Sequence, residues 1–316
     1  MARDTGWYES SATPYSPLES RAPSSGGSML LTTDDPQDPA RSGVRFAAEH
    51  RLAVSAACEA GALLRSYLRG ENSQPCAVKP KGCLGDVVTD LDTLAEEVIV
   101  RQIRACFPHD RILAEESGVL AGDAANGRTW LVDPLDGSNN VAIGLASCVV
   151  GIALCAGDAP VVGVVHEPVT GRTWSALQGC GARGPHGPLR AVARTPSSAG
   201  PLLGWTQGYG VARDDLRART LKADLERGSR RLLQLWAPLL TWSMLARGDI
   251  DGFVGYRAEA IDLPAGALLA LEAGVEIRAL DGGPFHGGVT GPDSDRSFVA
   301  GRPEDMPRLL DMVNDG

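Results

Sequence analysis

Acidic residues stand at the ends of apolar runs at three separate points of this 316-residue chain. Ile112-Leu113-Ala114 leads into Glu115 and Glu116, Trp130-Leu131-Val132 leads into Asp133 and Asp136, and Ala260-Ile261 leads into Asp262. In α/β sheets the strand ends are where ligands bind. Carboxylates that converge without basic partners repel one another, and one must protonate unless cations lie between them. Magnesium suits such a set: it is a hard ion, takes oxygen ligands and keeps positions open for water and a bound ligand. Taken singly, each segment has a plainer reading. An Asp before a helix is usually an N-cap, which would account for Asp262 and Asp133, and Glu115 and Glu116 could be solvated surface. Their combination points to a metal site.

The run Asp133-Pro134-Leu135-Asp136-Gly137-Ser138-Asn139 is the most informative. Pro134 restrains the chain between two acids, so that both carboxylates and the Leu135 carbonyl can face one point. Gly137 permits a tight turn and a close approach of backbone. A helix starting there would aim the amides of Gly137, Ser138 and Asn139 at an anion such as a phosphate dianion.

These residues need a frame. Residues 1–42 are rich in Ser, Pro, Gly and Asp and read as a disordered tail, with Met29 a second candidate start. Apolar positions from Phe46 to Leu68 repeat at helical spacing, with Gly70 as the stop. A loop over Lys79–Gly85 leads to a second helix carrying Leu91, Leu94, Ala95, Val98, Ile99 and Ile103, ended by Pro108. Buried strands are expected at 111–114, 130–132, 148–155 and 161–166. Gly and Pro crowd 179–188, which divides a metal-binding half (43–187) from a C-terminal half (188–316) that completes the site. In the second half the pattern predicts a helix over 230–246, a strand at 252–255, a helix over 262–273 and strands near Glu276 and Phe298. Trp236 and Trp242 fall on the first of these helices.

Charge and composition exclude several classes. The net charge of −9 and pI near 5.1 argue against a nucleic-acid surface, which needs a basic face. No run approaches a membrane span, and no basic segment followed by an apolar run marks a signal peptide, so the cytoplasm is the expected compartment. Seven dispersed cysteines without CxxC spacing read as reduced thiols, mostly small core residues. His50, His109, His166, His186 and His286 are isolated. No nucleophile motif stands out for covalent catalysis.

From roughly Val44 to the C-terminus the chain resembles the inositol monophosphatase family of lithium-sensitive, metal-dependent sugar phosphatases. The resemblance rests on GDVVTDLD (85–92), ILAEESG (112–118), WLVDPLDGSNN (130–140) and AIDLPAG (260–266), supported by 163–182. It implies a layered α/β/α/β/α fold of the α/β class and a Mg2+-dependent phosphatase that hydrolyses a small phosphate monoester by direct attack of water, without a phospho-enzyme. Glu115, Asp133 and the Leu135 carbonyl would hold a first ion; Asp133, Asp136 and Asp262 a second; a third would share Glu115 beneath a mobile loop containing Lys81. Asp92 and Ser138 would orient the attacking water. A homodimer and lithium inhibition follow from the same resemblance.

Departures fall on the substrate side. The family's Thr is Ser138, and the aromatic beyond Asn140 is Val141. A run of small residues is replaced by Leu235-Trp236-Ala237-Pro238-Leu239-Leu240, and a sugar-gripping acid aligns with Gly255. Exchanging a hydroxyl-binding carboxylate for an indole changes ligand preference, which weakens an inositol reading. A nucleotide is one alternative, with Trp236 stacking on a base and Arg257 near a second phosphate; for Trp236, burial is the competing reading. Bisphosphate nucleotidase, histidinol-phosphatase and fructose-bisphosphatase activities remain open, as does a non-catalytic phosphate-binding relative.

Overall fold

The structure, a computed structural model, describes residues 45–71, 77–81, 86–123, 126–192, 199–285 and 292–314. The tail expected over 1–42 with Met29, most of the loop after Lys81, and Cys76, Cys83 and His286 lie outside the described residues. The described residues form one compact unit.

Helix α1 (Ala47–Leu68) presents a stripe of small residues, Ala53, Ala56, Ala57, Ala60 and Gly61, ending in Leu64. Such a stripe lets a helix lie close against its neighbours. The expected loop after it is in part a hairpin of β1 (Val78–Lys81) and β2 (Asp86–Thr89); the Lys, Pro and Gly of 79–85 read as loop, and a strand as short as Val87-Val88-Thr89 gave too little signal beside them. Helix α2 (Asp90–Cys106) starts from a capping box, with Thr89 and Asp92 satisfying each other's end of the helix. Then come β3 (Arg111–Ala114), β4 (Gly118–Leu120), β5 (Arg128–Asp136), the short α3 (Ser138–Ala142), and a meander of β6 (Val149–Ala156), β7 (Ala159–Glu167), β8 (Arg172–Leu177), β9 (Ala182–Gly184) and β10 (Gly187–Leu189). These strands make an eight-stranded sheet in the order β10-β9-β8-β7-β6-β5-β3-β4, antiparallel except where β3 runs parallel to β5.

The remaining elements are β11 (Leu202–Gln207), α4 (Leu216–Gly228), β12 (Arg231–Leu233), α5 (Pro238–Ala246), β13 (Gly252–Tyr256), α6 (Pro264–Glu272), β14 (Glu276–Ala279), β15 (Phe298–Gly301) and α7 (Met306–Asn314). They include a five-stranded sheet in the order β12-β11-β13-β15-β14. The helix expected over 230–246 is corrected here. Arg231–Leu233 pairs in parallel with Leu202–Gly204, and the helix begins only at Pro238, because proline lacks an amide hydrogen and sits best in a first turn. Trp236 is therefore in the connection, not on the helix. Trp242 is on it, fully buried.

Three apolar clusters give the layering. One face of the large sheet (Trp130, Val132, Val150, Ile152, Val162, Val164) packs on α1 and α2. Its other face (Leu131, Ala153, Val165) packs on α5 and α6, whose far sides meet Phe253 and Phe298 of the second sheet. Outside that sheet lie α4 and α7. The order is α/β/α/β/α, as the family resemblance implied. Helix α6 comes so close to β7 that a Cβ at Gly163 would lie 2.6 Å from the Ala265 carbonyl oxygen, so only glycine fits. Cys148 and Cys155 are buried, but Cys58, Cys106 and Cys180 are exposed, a correction to their expected place in the core.

Candidate active site

Strand alternation would send Asp133 and Asp136, three residues apart, to opposite faces. The pairing of β5 with β6 slips between them: Asp133 sits opposite Gly151 and Asp136 opposite Val149. Three steps on one strand match two on the other, which is a bulge, and it returns both carboxylates to one side. Proline, which cannot donate to a ladder, stands inside the bulge at position 134. Gly137 then turns the chain with φ 105°, and a Cβ there would lie 2.7 Å from the Ser147 carbonyl oxygen.

One cavity of about 480 Å³ is lined by Glu115, Asp133, Leu135, Asp136, Gly137, Ser138, Asn139 and Asp262, residues drawn from β3, β5, α3 and the approach to α6. Hydrogen bonds brace the segments that carry Glu115, Asp133 and Asp136. Glu96, buried on α2, accepts the amides of Glu116 (2.8 Å) and Ser117 (2.9 Å), which fixes the turn carrying Glu115. Asp133 Oδ1 accepts the Leu135 amide at 3.1 Å. Asp136 Oδ2 accepts the amides of Leu239 (2.7 Å) and Leu240 (3.2 Å) at the start of α5. Asp262 precedes α6, whose N-cap position is Leu263, so the plainer reading of Asp262 as the N-cap residue does not hold.

Asp92 lies beneath the cavity, fully buried. Its Oδ2 accepts the Thr89 amide (2.7 Å) and hydroxyl (2.5 Å), and its Oδ1 accepts the Ser138 hydroxyl. The Ser138 oxygen also lies 2.8 Å from the Leu135 carbonyl. With its hydrogen turned to Asp92, that oxygen keeps its lone pairs for a donor in the cavity.

Charge is unbalanced. Burial pushes the Asp133 carboxyl well above the ordinary carboxylate range, and Glu115, Asp136 and Asp262 push it further. Burial raises Asp136 too, against the pull of the Leu240 and Leu239 amides. Burial raises Glu115, although Lys81 opposes the rise. The Lys81 ammonium lies 2.8 Å from Glu115 Oε1 and 2.7 Å from Glu116 Oε1. Burial works against its charge, but the two carboxylates outweigh burial and raise its pKa. Among the described residues no three acidic, thiol or imidazole groups already close into a formed metal cage. The donor set nonetheless fits hard divalent cations: it is all oxygen, its charges repel, and a lysine ammonium stands in for a cation on Glu115.

The substrate-side expectations fare differently. Trp236 lines the cavity and is 52% exposed, so the burial reading does not hold. Gly255 does not line it. That residue lies inside β13, where a Cβ would meet the Phe298 ring at 2.2 Å. Arg257 also points elsewhere, its guanidinium 5.4 Å from the Tyr256 ring centre. Two residues not foreseen stand in the wall instead: Glu259, which accepts the Tyr209 amide at 2.9 Å, and Arg213. Nothing in the periodicity of 208–215 marked that loop; only the lie of β11 brings it over the cleft. Asn140 was also missed. It ties the Ser147 and Leu235 carbonyls together at 2.8 and 2.6 Å.

A layered α/β/α/β/α frame with an acid-lined cleft and a buried hydroxyl–carboxylate pair defines the class: metal-dependent hydrolases of phosphoric monoesters. Within that class the chain belongs to the inositol monophosphatase family, whose profile matches residues 48–310. It is 31% identical over 252 residues to the Arabidopsis thaliana protein named Phosphatase IMPL1, chloroplastic, covering 76% of this chain and 64% of that protein's length. It is 34% identical over 243 residues to an inositol-1-monophosphatase of Synechocystis, covering 74% of this chain and 79% of the relative. The crystal structure of extragenic suppressor protein suhB from Bartonella henselae superposes with a TM-score of 0.74 at 24% identity, over 85% of this chain and 99% of that one, a likeness of fold. No described helix is long and apolar enough to cross a membrane.

Proposed function

We propose that this protein hydrolyses a small phosphate monoester by direct attack of water, and that magnesium, as two or three ions, is held by Glu115, Asp133, the Leu135 carbonyl, Asp136 and Asp262. The observation that carries the reading is the convergence on one cavity of acids from three distant segments, with Ser138 bonded to buried Asp92 at its floor. Bound there, divalent cations would neutralise the phosphate and acidify a water.

The chain's own groups do the rest. Thr89 pins one oxygen of Asp92, and the other accepts the hydrogen bond of the Ser138 hydroxyl. The Ser138 oxygen is then an acceptor for a proton of the attacking water and fixes its line of approach. The backbone turn at Gly137, Ser138 and Asn139 receives the phosphoryl oxygens. Water oxygen bonds to phosphorus as the ester P–O bond breaks; one water proton stays on the phosphate product, the other passes to solvent, and solvent supplies a proton to the departing alkoxide. Such transfers need chiefly positioning and charge balance. The same reading extends to lithium inhibition, a homodimer and a cytoplasmic location.

The test is phosphate release from a panel of sugar, polyol, nucleotide and aminoalcohol phosphates, with magnesium and with chelator. Release that requires the cation is expected. No release from any ester by the magnesium-loaded protein would overturn the proposal in favour of a non-catalytic relative.

A further inference from the structure

Trp236 is set at the cleft in a way that ordinary packing does not require. Its backbone is left-handed, with φ 53°, a strained region that bulky residues seldom enter. Its indole is 52% exposed although large, and it lines the same cavity as the acids. Tyr209, 45% exposed, lines that cavity as well. The backbone on both sides of Trp236 is tied to the acidic motif. Asn140 Nδ2 donates to the Leu235 carbonyl at 2.6 Å, and Asp136 Oδ2 accepts the Leu239 amide at 2.7 Å. The indole's mount is therefore fixed relative to the reacting centre, at one point by Asp136 itself and at the other by Asn140 of the adjoining helix.

A strained, water-facing indole secured in this way is a binding surface. Folding gains nothing from half-exposing it, and glycine would occupy the same backbone without strain. Its flat face offers no hydrogen-bonding pattern for reading the hydroxyls of a polyol, but it attracts another flat π-system. Stacking of a planar ring on an aromatic side chain is sensitive to flatness and tolerant of substituents.

Resting on the phosphatase reading above, we propose that Trp236 is a stacking platform for the leaving alcohol, so that the substrate is a phosphate monoester whose alcohol carries a flat unsaturated ring.

The test uses the full chain with magnesium and two esters of similar size, 2-phenylethyl phosphate and 2-cyclohexylethyl phosphate, in which the ring stands far enough from the ester oxygen for the two alcohols to be of nearly equal basicity. One presents a flat ring and the other a puckered one. The wild type should favour the phenyl ester in kcat/KM by about tenfold. W236F should keep most of that preference, and W236G should bring the ratio near one. W236G relieves the left-handed strain but gives up the buried half of the indole, so a cooperative thermal melt is the check that it is folded. Calorimetry with the corresponding non-hydrolysable phosphonates gives a readout independent of turnover and should show the same preference and the same loss. A wild-type ratio near one, or a preference that W236G leaves intact, overturns the inference while the phosphatase reading stands. A phosphonate preference lost in W236G, with no ester hydrolysed, supports the platform and overturns the phosphatase reading.

Discussion

The Asp136 carboxylate caps a helix from another layer: its Oδ2 accepts the Leu239 amide at 2.7 Å, at the first turn of α5, where the chain supplies no capping side chain of its own. One oxygen thus serves the fold, and the residue still lines the acidic cavity. D136N keeps an acceptor of the same shape, so it should hold the Tm within a few degrees while lowering kcat by about 100-fold or more. D136A loses the cap as well and should cost a further ~1 kcal/mol of stability. Denaturant titration together with phosphate release separates the two effects; a fully active D136N would sink the site assignment.

Ser138 bonds through its hydroxyl to a carboxylate that is itself pinned by Thr89. S138A removes the acceptor for water while leaving the backbone turn in place. It should reduce kcat by about 100-fold or more with little change in KM. S138T, which restores a hydroxyl, should recover much of the rate. Steady-state kinetics on the three proteins decides this.

Clustered acids tie cation binding to pH. Burial first, and mutual repulsion second, hold Asp133 and its neighbours above their unfolded pKa values. The folded state without cations therefore binds more protons than the unfolded chain, and its stability falls as pH rises through that window. Cations relieve the repulsion, so the rise in Tm on adding magnesium should be larger at pH 8 than near pH 4.5, just above the ordinary carboxylate range. Thermal melts with and without the ion measure it. An equal or smaller rise at pH 8 contradicts the metal site.

His166 gives a second pH effect with a different origin. It is packed so closely on α1 that a Cβ at Gly61 would lie 2.2 Å from its ring, and its Nδ1 is 2.8 Å from the Thr173 hydroxyl. Burial, helped by Arg65, lowers its pKa to about 4. The fold holds the neutral ring, so this contribution is whole above about pH 6.5 and is lost as pH falls toward 4. The loss is on the order of 3 kcal/mol. H166Q should flatten the fall in the urea midpoint between pH 7 and 4.

Much of this protein is determined by short-range chemistry and so is legible along the chain. Apolar runs ending in acids locate β3, β5 and the approach to α6. Pro134 and Gly137 mark the turn, and small apolar periodicity gives α1 and α2. Each of these signals depends on residues within a few positions of one another. What the sequence could not convey depends on distant partners. Arg231–Leu233 becomes a strand because β11 lies beside it, and Pro238 starts a helix capped by an acid about a hundred positions away. Glu259 and Arg213 enter the cavity wall while Gly255 and Arg257 stay out, because the register of the second sheet sets which side chains face the cleft. Trp236 reads as a helix residue in sequence and as an exposed, left-handed platform in space. Its place is decided by Asn140 and Asp136 bonding the backbone on either side, and no local pattern encodes that.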